Sequence, residues 1–172
     1  LSGRSSEGER TRKRQVAQGH YGVIYETDFT IGGRTHTFAE KLFKNNEYGT
    51  AEENAYKTFN NYRAAHDAGL RVFPTYRLSE DKKSILMTPY FGDWACVAGN
   101  ANPTLEDLGG TNMDSIDNFS SLLKNLIDEA ITAAHHKIQF GSDLFLFLVH
   151  KQSPNSLDFL SGDTDQILTN VD

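Results

Sequence analysis

The residues of this chain best suited to chemistry are two glycines, one lysine and a few carboxylates. Gly19 and Gly22 fall within Ala17-Gln18-Gly19-His20-Tyr21-Gly22-Val23-Ile24-Tyr25, at the tip of an expected hairpin. Glycine there lets backbone N–H groups approach a phosphate with no Cβ in the way; the plainer reading is a glycine-containing turn. Lys41 ends the run Phe38-Ala39-Glu40-Lys41 on a strand, and Glu52 and Glu53 follow near the start of a helix. Taken singly, Lys41 is an exposed strand residue and Glu53 a first-turn carboxylate favoured by the helix dipole. Asp143 and Asp158 are fifteen positions apart with a strand, a turn and a second strand between them. That spacing brings two carboxylates to the ends of adjacent strands, where they suit a hard cation carrying nucleotide phosphates. The plainer reading makes Asp143 a turn cap and Asp158 a surface acid. The six histidines show no metal-ligand spacing, and His135 and His136 are adjacent at a helix end.

The elements that must position these residues follow from the hydrophobic pattern. Residues 16–42 read as strands, VIYETDF and THTFAEKLF, joined through Ile31-Gly32-Gly33-Arg34, a good hairpin signal. Residues 51–68 lack Gly and Pro, place Ala55, Phe59, Tyr62 and Ala65 at helical spacing, and stop at Gly69. Two strands follow, at 75–78 and 84–87. Residues 92–114 are rich in Gly, Asn and Asp and read as loop, with a short helix near Leu105. Then Ile116, Phe119, Leu122, Leu123, Leu126, Ile127, Ala130, Ile131 and Ala134 trace one apolar helical stripe, with Ser115 or Asp114 as its cap. The run LFLFLV and the segment LDFL close the chain as strands. The first fourteen residues, ending in the basic cluster Arg10, Arg12, Lys13 and Arg14, read as a solvated arm.

Composition bounds the function. At 172 residues and 38% hydrophobic, the chain can bury one core or two small lobes. A net charge of −6 disfavours binding to nucleic-acid backbone or an anionic membrane surface. The single cysteine, Cys96, leaves no internal disulfide and no multi-cysteine zinc site. No apolar run approaches the roughly 18 residues of a membrane span, and the first residue, Leu1, suggests a processed or trimmed start.

The order glycine loop, strand lysine, helix glutamate, strand, then Ile85-Leu86-Met87-Thr88-Pro89-Tyr90 resembles the N-lobe of the protein-kinase superfamily, and the likeness spans roughly residues 16 to 160. It implies an α+β, protein-kinase-like bilobal fold: a flexible arm (1–15), an antiparallel N-lobe sheet with one helix (16–91), and a strongly reduced, mainly helical C-lobe (92–172). It further implies ATP and Mg²⁺ as cofactors. Gly19 and Gly22 would cover the phosphates, Lys41 would hold the α- and β-phosphates with Glu53 or Glu52 orienting it, and Met87, Thr88 and Tyr90 would form the gatekeeper and hinge at adenine.

The second half departs from the family pattern. Over the catalytic loop, His136-Lys137-Ile138-Gln139-Phe140-Gly141-Ser142-Asp143 puts Ile138 at the usual general base, and Leu157-Asp158-Phe159-Leu160 resembles the D-F-G element with Leu in place of its glycine. Ser142-Asp143-Leu144-Phe145-Leu146-Phe147-Leu148 is more similar to the minimal kinases that bacteria deliver into host cells or deploy as toxins, which implies Asp143 as catalytic-loop acid and Asp143 with Asp158 as metal ligands. On that likeness the chain is a monomer made in the cytoplasm and delivered to a host cell, where it phosphorylates a host protein. A pseudokinase keeping the fold as a binding or scaffolding module is the alternative; transfer of AMP is a third.

Overall fold

The computed structural model describes residues 8–89, 93–98, 116–141, 145–162 and 164–171. Tyr90, Asp143 and the loop over 99–115 with its short helix lie outside these residues. The chain is α+β and divides into two units, Leu1–Phe59 with Pro74–Pro89, and Asn60–Phe73 with Tyr90–Asp172. Residues 60–73 belong to the second unit, although they precede the boundary expected at residue 91.

The first unit is built on an antiparallel sheet of β1 (Glu9–Gln18), β2 (Gly22–Ile31), β3 (Arg34–Phe43), β4 (Thr75–Leu78) and β5 (Ser84–Met87), in the order β1-β2-β3-β5-β4. The β2–β3 turn is the expected one. Ile31 faces Arg34, and Gly32 and Gly33 take φ of 58° and 77°, the double left-handed turn that matches strand twist. Helix α1 (Ala51–Asp67) leaves β3 through residues 44–50. Thr50 caps it, its Oγ1 accepting from the Glu53 N–H at 3.2 Å. Buried Asn54 ties down the connecting loop, its Nδ2 donating to the carbonyls of Lys44 and Gly49 and to Asn46 Oδ1. The core on this side of the sheet gathers Phe43, Ala51, Ala55 and Ile85, with Tyr21, Phe59 and Met87 against it.

Strand β1 overturns the expected arm from Glu9 onward. It forms without an apolar residue before Val16 because its charges have partners across the sheet. Arg14 and Lys13 pair with Glu26, Lys13 also with Asp28, and Arg10 and Arg12 with Glu40.

The second unit holds the end of α1 and helix α2 (Phe119–His135), but it is richer in strands than the mainly helical C-lobe expected. A three-stranded sheet runs β6 (Trp94–Ala98), β8 (Phe145–His150), β9 (Ser153–Ser161) in the order β6-β8-β9, and β7 (Gln139–Phe140) pairs with β10 (Ile167–Leu168) after a one-turn 3-10 helix, Thr164–Gln166. Residues 94–98, expected as loop, are a strand because β8 offers them a hydrogen-bonding edge. Helix α1 ends on a Schellman motif: Gly69 takes φ 86°, its N–H reaches the His66 carbonyl, and the Leu70 N–H reaches that of Ala65. Ala65 and Leu70 then join Val72, Ala133, Ile138 and Ile167 in one core cluster. Leu122, Val149, Leu157 and Phe159 form another under α2. The cap of α2 is Asn118, not residue 114 or 115. Its side chain makes no cap bond and instead copies a strand partner, donating to the Leu157 carbonyl at 2.7 Å and accepting its N–H at 2.9 Å.

Candidate functional site

The register of the five-stranded sheet brings part of the predicted site onto one face. Lys41 lies opposite Ile24 on β2 and Ile85 on β5; Gly22 lies opposite Phe43, and Met87 opposite Ala39. Alternation puts Gly22, Lys41, Phe43, Ile85 and Met87 on the same side, and Phe43 and Ile85 identify it as the side packed by α1. The Lys41 ammonium stands 5.1 Å from the centre of the Phe43 ring, a cation–π contact that leaves the charge over the sheet face.

The two glycines serve different ends. The Gly19 N–H donates to the Gly22 carbonyl at 2.9 Å, closing a hairpin with His20 and Tyr21 at its tip. A Cβ on Gly22 would collide with the Leu42 carbonyl, so glycine is required there by the close approach of β3. A Cβ on Gly19 would meet nothing within 4 Å. Gly19 therefore has room beside its Cα, but its N–H is taken by the Gly22 carbonyl, so a phosphate at the tip would have to use other backbone groups. The tip is anchored: Tyr21 stacks on Tyr48 with ring centres 5.8 Å apart, the Tyr21 carbonyl accepts the Lys44 N–H, and His20 Nε2 lies 2.8 Å from Glu47 Oε1.

Of the two carboxylates expected near Lys41, one has a partner of its own and the other lies at the helix start. Glu52 pairs with Lys83 at 3.6 Å. Glu53 is exposed, and its carboxylate lies over Gly49 at the helix start. The carboxylate at the centre of this unit is Glu40, fully buried on the other face of the sheet. It takes hydrogen bonds from Arg10 (3.1 Å), Arg12 (2.8 and 3.2 Å) and Thr27 (3.1 Å). Burial alone would raise its pKa, but the hydrogen bond and charge of Arg12, with the charge of Arg10, outweigh it and hold the carboxyl below its ordinary value. At the expected hinge, the Thr88 N–H donates to the Pro74 carbonyl at 2.9 Å and its hydroxyl to Tyr76 Oη at 3.0 Å. That N–H is occupied, so adenine would have to use other hinge groups.

In the second unit, Ile138 is buried in the core, as its apolar side chain requires. Asp158 stands within β9 opposite Leu148, not at a strand end as expected, because both neighbours, Leu157 and Phe159, are core residues that carry the strand past it. Its Oδ1 accepts from Arg71 Nη2 at 2.7 Å, and the Arg71 guanidinium lies 4.9 Å from the Phe159 ring centre. Arg71, Asp158, Trp94, Asn118, His150 and Ser156 line a cavity of about 400 Å³. Buried Glu129 of α2 accepts the Arg71 N–H (2.9 and 3.1 Å) and the Ser161 hydroxyl (3.2 Å). Burial raises the Glu129 pKa, only partly offset by these donors.

The fit to the implied cofactors is uneven. Lys41 supplies a cation on the sheet face that the implied nucleotide phosphate would need. Asp158, already neutralised by Arg71, suits magnesium poorly as placed, and among the described residues no three His, Cys, Asp or Glu side chains group as a metal would need. Glu40, Arg71, Asn54 and Glu129 went unread in the sequence. Only Glu129 had a usable signal: with Leu122, Leu126 and Ala133 it falls at i+7 on the core face of α2.

A scan against protein-family models finds no match, and a search of curated proteins finds no significant one.

Proposed function

We propose that the chain is a minimal, protein-kinase-like domain that binds ATP and transfers its terminal phosphoryl group to a protein. The observation that carries this reading is the first unit's sheet. The order β1-β2-β3-β5-β4, with a helix inserted between β3 and β4, sets Lys41 on the central strand, flanked by the strand that follows the glycine hairpin and the strand that leads to the hinge. A lysine ammonium presented there acts as a point charge on the α- and β-phosphates, and phosphoryl transfer depends mainly on such positioning and neutralisation. Asp143 is the carboxylate assigned to the acceptor and metal, with Asp158 as second metal ligand once freed from Arg71. Delivery to a host cell and a host-protein acceptor belong to the same reading.

A second reading, a pseudokinase acting as a nucleotide-binding or scaffolding module, is favoured by one pair of observations: the buried Ile138 and the Arg71-bound Asp158. Melting the protein with and without Mg²⁺-ATP tests the shared step. Wild type gains stability as ligand exceeds its Kd, by about 2.7 kcal/mol at a hundredfold excess, and Lys41→Ala loses that gain while melting normally without nucleotide. A wild type indifferent to ATP contradicts the phosphoryl-transfer reading and leaves only the scaffolding form of the second.

A further inference from the structure

Helix α2 carries about twice the apolar arc it needs. At roughly 100° per residue, its core face is the narrow arc of Leu122, Glu129 and Ala133, all buried, with Leu126 half-buried beside them. The expected apolar stripe does not end there. Phe119, Leu123, Ile127 and Ile131, each four residues from the next, are 59%, 47%, 52% and 51% exposed, and Ala130 and Ala134 are exposed among them. Single exposed apolar side chains are ordinary, but four large ones in a row on one helix mark a contact face.

The border of this face says what covers it. On the solvent edge, one position along from Leu123 and Ile127, stand Lys124 and Asp128, exposed and paired with each other at 2.8 Å. Two copies of α2 laid antiparallel about an axis near Asn125 set Leu123 against Ile127, Phe119 against Ile131, and each Lys124 near the other copy's Asp128. The row is self-complementary in shape and charge, as a two-fold contact requires. Residues spaced by four also form the ridge that interdigitates with its own kind in the commonest helix packing.

We infer that the exposed face of α2 is a homodimer interface whose occupant is a second copy of this chain, against the monomer expected from sequence. The contact is a single helix pair, so a weak dimer is expected, with a Kd on the order of micromolar to tens of micromolar. This inference is independent of the phosphoryl-transfer reading.

Sedimentation equilibrium of the whole chain from about 1 to 300 µM brackets that range. Wild type shows a monomer–dimer equilibrium. Ile127→Lys weakens it at least about tenfold with an unchanged circular-dichroism spectrum, since the position is exposed. Lys124→Glu also weakens it by setting like charges across the axis, and the swap Lys124→Asp with Asp128→Lys restores it. A wild type monomeric throughout overturns the inference, meaning that another part of the chain or a different partner covers the face. A dimer indifferent to Ile127→Lys overturns it equally.

Discussion

At the scale of single residues, the sharpest distinction is between Gly19 and Gly22. Gly22→Ala forces a methyl into the Leu42 carbonyl and is expected to cost about 1–3 kcal/mol, read as a lower urea midpoint. Gly19→Ala has open space and leaves that midpoint unchanged, while weakening ATP binding if a phosphate rests there. Two buried carboxylates set opposing pH dependences. The Glu40 pKa is depressed in the folded chain, so its contribution is present above the unfolded value and lost as pH falls through the folded one. Glu129 is raised, so the folded chain binds its proton more tightly, and this group's stabilisation is full in acid and declines as pH climbs through the carboxylate range to the raised pKa. Urea titrations between pH 3 and pH 7 should show Glu40→Gln destabilised at pH 7, by roughly 2–3 kcal/mol for the lost charge-assisted hydrogen bonds, with the deficit shrinking in acid. Glu129→Gln keeps an acceptor for the Arg71 N–H and should be no less stable than wild type at pH 7, with its own slope removed.

At the scale of elements, what could be read in advance tracks the physical signal each element leaves in sequence. The β2–β3 hairpin and α1 were legible because Gly32-Gly33 and Gly69 punctuate apolar patterns of period 2 and 3.6. Strand β1 was not, since Glu9 to Arg14 contains no apolar residue and pairs through charge with strands remote in sequence. Strand β6 was hidden in the same way, because its stability comes from an edge of β8 some fifty residues later. The cap of α1 gives an element-scale prediction. Gly69→Ala meets no steric neighbour but must hold φ 86°. It should lose about 1–2 kcal/mol and fray the last turn, seen as faster amide exchange at Gly69 and Leu70.

At the scale of the whole molecule, the two units bear unequally on function. The first holds Gly19, Gly22, Lys41 and Met87 in a sheet whose strand order supports the kinase-like reading. Their placement in the fold was legible, since local turn chemistry and strand order carry it. The second holds Asp158 in an ion pair that composition and spacing could not foretell, because Arg71 lies 87 residues away in sequence. Among the described residues no helix is long and apolar enough to cross a membrane. The most direct measurement is transfer of labelled γ-phosphate from Mg²⁺-ATP to proteins of a eukaryotic lysate, run beside Lys41→Ala and Asp143→Ala. Phosphoryl transfer predicts label on a discrete set of proteins with wild type and loss of at least about a hundredfold with either variant. Folded wild-type protein that binds no ATP and transfers no label would contradict it.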